Sequence, residues 1–433
     1  MVQPAAPPKN RPRELRAWCF YDWANSVYSL VIATAIFPIY YFAVTPPQVA
    51  LLGGSIDRVS LRSYAISVAY LLIVLLGPLL AGRADARRQK KAYLRMACYA
   101  GATSCVGLFW FTGDSIYLGL GLFVSATFFF ALSDQFYNSF LPEIATPDRF
   151  DQLSARGYSL GYVGSVILLV ASLVMVQQPA WVGLEAGSAT RVSFVLTGLW
   201  WAGFGTYTFR HLRADRETAA ATPPRSGFAE LLHCLRQVPS IPLLGRFLLT
   251  FLCYNMGLQT VMNVATDFGT EELKLEAGSL ILALLLIQLI AVGGAYFFAM
   301  LSEKKGNIFA LKTAVLMWVG IIVYAWFVDS AAEFYGLGAA VGWVMGGTQS
   351  TSRAAYSRLL PPEVAGNASF FSFYSVLDKV AVIVGTFSFG LVNQLTGSMR
   401  NAIIFLALFF VAGFALLALT RWRGRLAVGD PSA

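Results

Sequence analysis

The side chains with the clearest chemical potential in this 433-residue chain are acidic and amide groups standing inside long apolar stretches. Two sets share one helical face each: Asp22, Asn25, Ser26 and Ser29 at spacings of i, i+3, i+4 and i+7, and Asn255, Gln259 and Asn263 in steps of four. Such groups support hydrogen bonding, ion pairing and proton exchange. Polar side chains are costly in lipid, so each is a candidate functional residue.

A second group combines charges with amides in other apolar stretches, namely Asp134 and Asn138, Gln349 and Arg353, and Tyr374 with Asp378 and Lys379. Asp378 and Lys379 stand mid-stretch and are the predicted coupling element, together with Asp22. Burial disfavours a charged carboxylate, so we expect Asp378 to take up a proton near neutral pH. Adjacent residues point about 100° apart on a helix, so the two are not expected to form an ideal pair. A purely structural pair is the alternative.

Other residues are assigned to gating, packing or solute contact. Asp134 and Arg353 are expected to pair as an inner gate. The predicted solute contacts are Asn25, Ser26, Asn138, Asn255, Gln259, Gln349 and Tyr374. Asn263 and Gln288 could equally serve only helix packing, and Asp22 could be a first-turn or N-cap residue. The pairs Gly157-x-x-x-Gly161 and Gly342-x-x-x-Gly346 predict close helix packing.

The composition requires these stretches to lie in a membrane. Hydrophobic residues make up 57% of the chain and charged residues 13%, with a mean hydropathy of +0.61, which excludes a soluble multidomain protein. A crossing needs about 20 apolar residues, and lipid restricts it to a helix. Twelve runs qualify: 18–44, 62–82, 92–112, 116–141, 153–177, 191–210, 243–263, 278–301, 308–328, 333–357, 370–392 and 400–421.

The basic residues indicate the orientation of these spans. With both termini in the cytoplasm, inner segments hold 26 of the 32 Lys and Arg residues, and outer loops hold five, as the positive-inside rule expects. This spread over all inner loops argues against a nucleic-acid partner. The predicted organisation is a basic cytoplasmic tail (1–17), a six-helix half (18–210), a cytoplasmic linker with an amphipathic helix (211–242), a second six-helix half (243–421) and a cytoplasmic tail (422–433).

The two halves repeat each other. Ala81-x-x-x-Asp85 after the second span matches Ala299-x-x-x-Glu303 after the eighth, and Leu141-Pro142-Glu143 matches Leu360-Pro361-Pro362-Glu363, at offsets of 218 to 220 residues. Duplicated six-helix halves predict an all-α polytopic membrane protein with the major facilitator fold. Asp85 and Glu303 are expected to close the inner face through charge and helix-end contacts.

Enzyme signatures and cofactor motifs are missing from the sequence. Its two histidines, His211 and His233, fall in the linker region, and there is no HExxH, Walker-type GKS/T or GxSxG motif. No metal site or cofactor is expected. The five cysteines form no framework of pairs, which indicates packing residues. An intramembrane enzyme is therefore disfavoured, because no clustered acidic metal motif is present.

Several short motifs are distinctive in combination. They are Tyr21-Asp22-Trp23-Ala24-Asn25-Ser26, Thr34-Ala35-Ile36-Phe37-Pro38, Asn138-Ser139-Phe140-Leu141-Pro142-Glu143, Tyr254-Asn255, Gln259-Thr260, Gly346 to Arg353, and Phe371-Ser372-Phe373-Tyr374 with Asp378-Lys379. Together they resemble the vacuole-effluxer-like family of the major facilitator superfamily. The resemblance implies a secondary transporter that exports amino acids or similar solutes. The chain departs from the family pattern at Met256, Ser375, Thr386, Ala81 and Ala299. Met256 and Ser375 replace acidic residues, which leaves the coupling ion open.

These observations together predict a secondary active transporter working by alternating access. The expected partners are a small polar or amphipathic solute, protons or another coupling ion, and the lipid bilayer. The chain is expected to act as a monomer in the plasma membrane. An importer of a sugar, peptide or nutrient anion has the same architecture and stays open, as does a non-transporting membrane sensor. The polar faces on several helices weigh against the sensor.

Overall fold

A computed structural model of the protein describes residues 8–51, 54–213, 232, 235–241, 243–275, 277–361, 368–396, 398–420 and 422. Its first elements are α1 (Pro12–Val27), a π-helical segment (Tyr28–Ile36), α2 (Phe37–Val44), β1 (Gln48–Leu51), β2 (Gly54–Asp57), α3 (Arg58–Arg87), α4 (Lys90–Gly107), α5 (Ile116–Ser139), α6 (Leu141–Ile144), α7 (Phe150–Gln177) and α8 (Ala186–His211). The later elements are α9 (Leu244–Asp267), a π-helical segment (Phe268–Glu272), α10 (Ala277–Lys305), α11 (Asn307–Ala325), α12 (Ala331–Leu359), α13 (Ala368–Thr396), α14 (Met399–Phe405) and α15 (Ala407–Leu419).

Helices occupy every predicted apolar run, with ends that differ by a few residues. Within the described ranges, nine helical segments are long and apolar enough to cross a membrane. Three further helices, α4, α8 and α12, coincide with predicted spans three, six and ten. The protein is therefore a multi-pass helical membrane protein, and the count of twelve crossings stays a prediction. Most of the linker at 211–242, including much of its predicted amphipathic helix, lies outside the described residues, as do residues 1–7 of the first tail and residues 423–433 of the second.

Two local features were not predicted from the sequence. A two-stranded antiparallel hairpin, β1 with β2, follows the first span and pairs Gln48 with Asp57. Pro46 and Pro47 favour extended backbone after α2 and remove amide donors, so Thr45 is already extended. The first span is also interrupted by nine π-helical residues. Such segments widen the helix locally and often occur at functional sites.

The helices form two compact units. The N-unit comprises residues 16–138 and 160–232, and the C-unit comprises residues 1–15, 139–159 and 233–433. The segment 139–159, which the sequence places in the N-terminal half, thus clusters with the C-terminal helices. Helix α7 begins in the C-unit and continues in the N-unit.

Small residues allow close helix packing within each unit, as the sequence predicts. A Cβ atom on Gly342 or Gly346 of α12 would collide with the backbone of α10, at the carbonyl oxygens of Ile287 and Ala291. In the N-unit, a Cβ on Gly161 of α7 would collide with the Ser26 hydroxyl of α1. Glycine at these positions lets the backbones approach within a distance that no larger residue permits.

Candidate functional site

The polar stripe of α9 meets α13 at Asp378 inside the C-unit. Asp378 Oδ1 accepts hydrogen bonds from Asn255 Nδ2 and from Gln259 Nε2, both at 2.8 Å. Asp378 Oδ2 forms an ion pair with Lys379 Nζ at 2.6 Å. The side chains of Asp378 and Lys379 keep 20% and 18% of their area exposed, so the pair is shielded but still reachable.

The ion pair corrects the expectation that Asp378 and Lys379 would not bond to each other. Adjacent helical positions do diverge, but the four-carbon stem of lysine is long enough to turn its ammonium back to the neighbouring carboxylate. Gln259 also contacts Asp378 because it follows Asn255 by four residues, one turn along the same face of α9. The sequence predicted the face of α9 correctly and missed its partner.

An aromatic cluster lies beside this carboxylate. Tyr374 precedes Asp378 by one turn of α13, and its ring stacks on Phe251 at 4.4 Å and on Tyr356 at 4.5 Å between centroids. Tyr356 donates its hydroxyl to the Phe370 carbonyl at 2.6 Å, and Tyr254 shares a 2.7 Å hydrogen bond with Ser352. The cluster supplies an apolar wall with satisfied hydroxyl groups next to a charged pair.

The predicted face of α1 lies in the N-unit and is buried at Asp22 and Asn25, whereas Ser26 is half-buried and Ser29 is exposed. Asp22 is 4% exposed and accepts a 2.8 Å hydrogen bond from the Tyr137 hydroxyl. The first-turn interpretation of Asp22 is wrong, because α1 begins at Pro12 and Asp22 lies nearly three turns inside it. Asn25 is 2% exposed, and Ser26 Oγ lies 3.5 Å from Asn25 Oδ1.

Of the predicted gate pair, Asp134 belongs to the N-unit and Arg353 to the C-unit. In the N-unit, Asn138 Nδ2 donates to Asp134 Oδ2 at 2.9 Å. In the C-unit, Arg353 is 3% exposed and donates from Nη2 to the Ser154 carbonyl at 2.8 Å and from Nε to Ser154 Oγ at 3.2 Å. Its guanidinium also lies over the Tyr158 ring, 4.1 Å from the centroid. The pairing of Asp134 with Arg353 stays a prediction.

The acidic residues of the repeated loop motifs, Asp85 and Glu303, differ in their burial. Glu303 is exposed, whereas Ser302 and Asn307 on either side of the Lys304-Lys305-Gly306 turn are buried. Asp85 is half-buried, and its carbonyl accepts a backbone hydrogen bond from Arg88 at 3.1 Å. Gln349 is half-buried on α12. The gating roles of Asp85 and Glu303 and the solute contact of Gln349 stay predictions.

A buried charge network at the start of α7 was missed by the sequence analysis. Asp151 forms an ion pair with Arg358 of α12, and its Oδ1 accepts from Ser302 Oγ at 2.8 Å and from Asn307 Nδ2 at 2.6 Å. Arg358 also donates to the Pro147 carbonyl at 2.7 Å and to the Asn307 side-chain oxygen. These residues lie near the repeated loop motifs, but the sequence does not show that the start of α7 packs on α10 and α12, where they meet.

The N-terminal tail is tied to the same segment. Lys9 Nζ donates to the Pro142 carbonyl at 2.7 Å. Asn10 and Thr146 bond reciprocally, Asn10 Nδ2 to Thr146 Oγ1 at 2.7 Å and the Thr146 amide to Asn10 Oδ1 at 3.0 Å. We call Lys9 and Asn10 the tail strap. Within the described part of the chain, no group of three or more His, Cys, Asp or Glu residues is arranged to hold a metal ion.

Solved structures identify the fold. The fold matches the fucose transporter FucP in its outward conformation (TM-score 0.70, 13% identity, 94% of this chain and 98% of that chain). It also matches the human organic anion transporter MFSD10 (TM-score 0.72, 12% identity, 96% of this chain and 100% of that chain). The fold with its buried polar faces is therefore that of a major facilitator superfamily transporter.

The family follows from the sequence comparison. A model of the family described as "Vacuole effluxer Atg22 like" matches residues 10–151 and 147–425, and the chain belongs to this family. It is 28% identical to the MFS-type transporter YxiO of Bacillus subtilis over 95% of both chains. It is 24% identical to autophagy-related protein 22 of Eremothecium gossypii, over 86% of this chain and 79% of that protein.

Proposed function

We propose that this protein is a proton-coupled exporter of amino acids or similar small polar or amphipathic solutes. It works by alternating access, as a monomer in the plasma membrane with both termini in the cytoplasm. The family description names an effluxer, and the distribution of basic residues supports the orientation. The observation that carries the proposal is the Asp378–Lys379 ion pair of α13, whose carboxylate also accepts hydrogen bonds from the amides of Asn255 and Gln259 on α9.

Coupling follows from the exchangeable partners of this pair. In the structure Lys379 neutralises Asp378. A proton, or a cationic group of the solute such as an ammonium, can replace Lys379 as the group that neutralises Asp378. Solute and proton thereby compete for one carboxylate, so binding of one requires release of the other and the two are carried in opposite directions. An inward-directed proton gradient would then drive solute outward.

The neighbouring residues fit an amphipathic solute. Tyr374 and Phe251 offer an aromatic surface to an apolar side chain, while Asn255 and Gln259 offer amide groups. In the N-unit, Asn25, Ser26, Asn138 and the buried Asp22 complete the proposed solute contacts, with Asp22 as a second coupling carboxylate. Gln349 adds a further amide on α12.

Opening toward the cytoplasm requires the start of α7 to leave α10 and α12. Arg358 and Arg353 of α12 hold Asp151 and Ser154 of α7 through the ion pair and hydrogen bonds described above. These contacts lie at the end of α7 predicted to be cytoplasmic. We assign them to the inner gate, whose release accompanies the inward-open state.

Transport in liposomes tests the proposal. Purified protein is screened for counterflow with an amino-acid panel, and solute movement is then driven by an imposed pH gradient. Asp378→Asn should keep counterflow and lose pH-driven accumulation, whereas Asp329→Asn, an exposed outer-loop carboxylate, should behave like wild type. Gradient-driven transport at wild-type rates in Asp378→Asn would overturn proton coupling through this residue. Exchange only of sugars, peptides or nutrient anions would indicate the importer, and folded protein without exchange of any solute would indicate the sensor.

A further inference from the structure

The two amides on Asp378 are arranged to serve more than one protonation state. Asn255 and Gln259 both donate to the same oxygen, Oδ1, at 2.8 Å, while Lys379 occupies Oδ2. Three donors on one carboxylate stabilise its ionised form. A protonated carboxyl needs the reverse, an acceptor for its own O–H.

An amide side chain can meet both needs without any movement of the backbone. Its NH2 and C=O groups lie in one plane, on opposite sides of the bond about which the amide rotates, and this terminal torsion has two nearly equivalent settings. Rotation by about 180° replaces the donor facing Asp378 with an acceptor. We infer that Asn255 and Gln259 are positioning residues whose amide groups rotate when Asp378 takes up a proton, so that the buried carboxyl is hydrogen-bonded in both states. This inference rests on the proposed coupling role of Asp378.

The surroundings of the amides favour rotation of the side chains over movement of the helix. Met256 and Thr260 of α9 lie against Gly385 of α13, where a Cβ would meet the Met256 carbonyl oxygen at 2.5 Å. The two backbones are therefore in close contact near the carboxylate. Asn263 Nδ2 also donates to the Gln259 carbonyl at 2.7 Å. A protonation change at Asp378 is then absorbed by side chains before it moves α9.

Lys379 is the charged group in contact with Asp378 in the described part of the chain. Other charged and titratable groups on neighbouring elements have their own partners. Tyr254 of α9 bonds to Ser352, Tyr356 of α12 donates to Phe370, Arg353 of α12 binds Ser154 and Tyr158, and Arg400 of α14 binds Glu272 and Asp329. Tyr374 is the phenol nearest along α13, and tyrosine ordinarily titrates near pH 10. The pH response of transport is therefore assigned to Asp378.

The test measures the pH profile of proton-driven transport for Asn255→Leu and Gln259→Met, in sodium-free buffers. Each variant removes one donor to the ionised carboxyl and one acceptor from the acid form. Because hydrogen bonds to a charged group are the stronger of the two, the pH midpoint should rise, by up to about one unit. The maximal rate should fall as well, because the acid form loses an acceptor. Thr260→Val is the matched control, because Thr260 donates to the Met256 carbonyl of its own helix at 2.6 Å and makes no described contact with Asp378. Midpoints that stay at the wild-type value in both variants would overturn the inference.

Infrared difference spectroscopy gives a second readout on the wild-type protein. A pH jump on protein labelled with ¹⁵N-asparagine and ¹⁵N-glutamine should change side-chain amide bands together with a carboxyl band. Both changes should be absent in Asp378→Asn, and a carboxyl change without an amide change would contradict the inference. The coupling role of Asp378 and the rotation of the amides are overturned by different results. A wild-type pH profile in Asp378→Asn removes the coupling role itself, whereas loss of that profile with unmoved midpoints in the amide variants removes only the amide rotation.

Discussion

Arg358 of α12 and Asp151 of α7 form an ion pair in which the carboxylate side chain is fully buried and the arginine side chain is 10% exposed. Two further donors, Ser302 and Asn307, hydrogen-bond to the other carboxylate oxygen of Asp151, Oδ1. A buried pair of this kind is costly to break on one side, because the remaining charge has no partner and little water. The start of α7 is thus fastened to the C-unit by charge.

We expect Arg358→Ala to destabilise the protein by about 3–5 kcal/mol, the typical cost of leaving a buried ion unpaired. The measurement is thermal unfolding of the purified protein in detergent. Arg149→Ala is the control, because Arg149 is 52% exposed and reaches the exposed Asp148 only at 4.0 Å. Exposed pairs of this kind contribute about 0–1 kcal/mol.

The double variant Asp151→Leu/Arg358→Leu separates charge from packing. Apolar replacement of both partners often costs little, so the double variant should be more stable than Arg358→Ala. A double variant as unstable as the single one would show that Arg358 acts through its bonds to Pro147 and Asn307 and not through the ion pair.

Helix packing gives a second prediction, at Gly342. Alanine there would overlap the Ile287 backbone of α10, so Gly342→Ala should destabilise the protein by about 1–3 kcal/mol, as overpacking usually does. Gly336→Ala on the same helix is the control, since a Cβ atom at that position would meet no atom within 4 Å. Because alanine has a higher helix propensity than glycine, Gly336→Ala should leave the free energy of unfolding unchanged or raise it by up to about 1 kcal/mol. Equal melting temperatures for the two variants would contradict the packing argument.

Hydropathy was sufficient to place the helices, because each apolar run must be helical in lipid. The polar faces of α1 and α9 were also predictable, because they depend only on helical spacing. The Asp378–Lys379 ion pair was not predicted, because the 100° angle between adjacent helical positions does not take the length of the lysine side chain into account. The Asp151 network was missed for another reason. Its members come from α7, α10, α11 and α12, and no local pattern shows which of these segments meet.

The tail strap gives a third prediction. The Thr146 amide donates to Asn10 Oδ1, so Asn10→Ala should speed hydrogen exchange in a peptide covering residues 141–149. Loss of one such bond costs about 1 kcal/mol, or roughly a fivefold rise in the exchange rate. Arg13→Ala, an exposed tail residue, is the control. The same exchange rate in Asn10→Ala and wild type would show that the strap does not hold this segment.

The fourth prediction concerns Arg353 as an inner-gate residue. Arg353 is buried on α12 and binds Ser154 and Tyr158 of α7, and we further predict that it pairs with Asp134. Arg353→Ala should therefore bias the transporter toward the inward-open state. The observable is labelling of Asn138→Cys from the cytoplasmic side in a cysteine-free background, which should become faster.

A double-mutant cycle with Asp134→Asn distinguishes the two sets of contacts. If Asp134 and Arg353 pair, either single variant already removes the interaction, and the double variant should label no faster than Arg353→Ala alone. If Arg353 acts only through Ser154 and Tyr158, the two effects should add on a free-energy scale. Arg353→Lys retains the charge but not the planar fork that reaches both Ser154 atoms, so its labelling should fall between wild type and Arg353→Ala. Labelling at the wild-type rate in Arg353→Ala would remove Arg353 from the gate altogether.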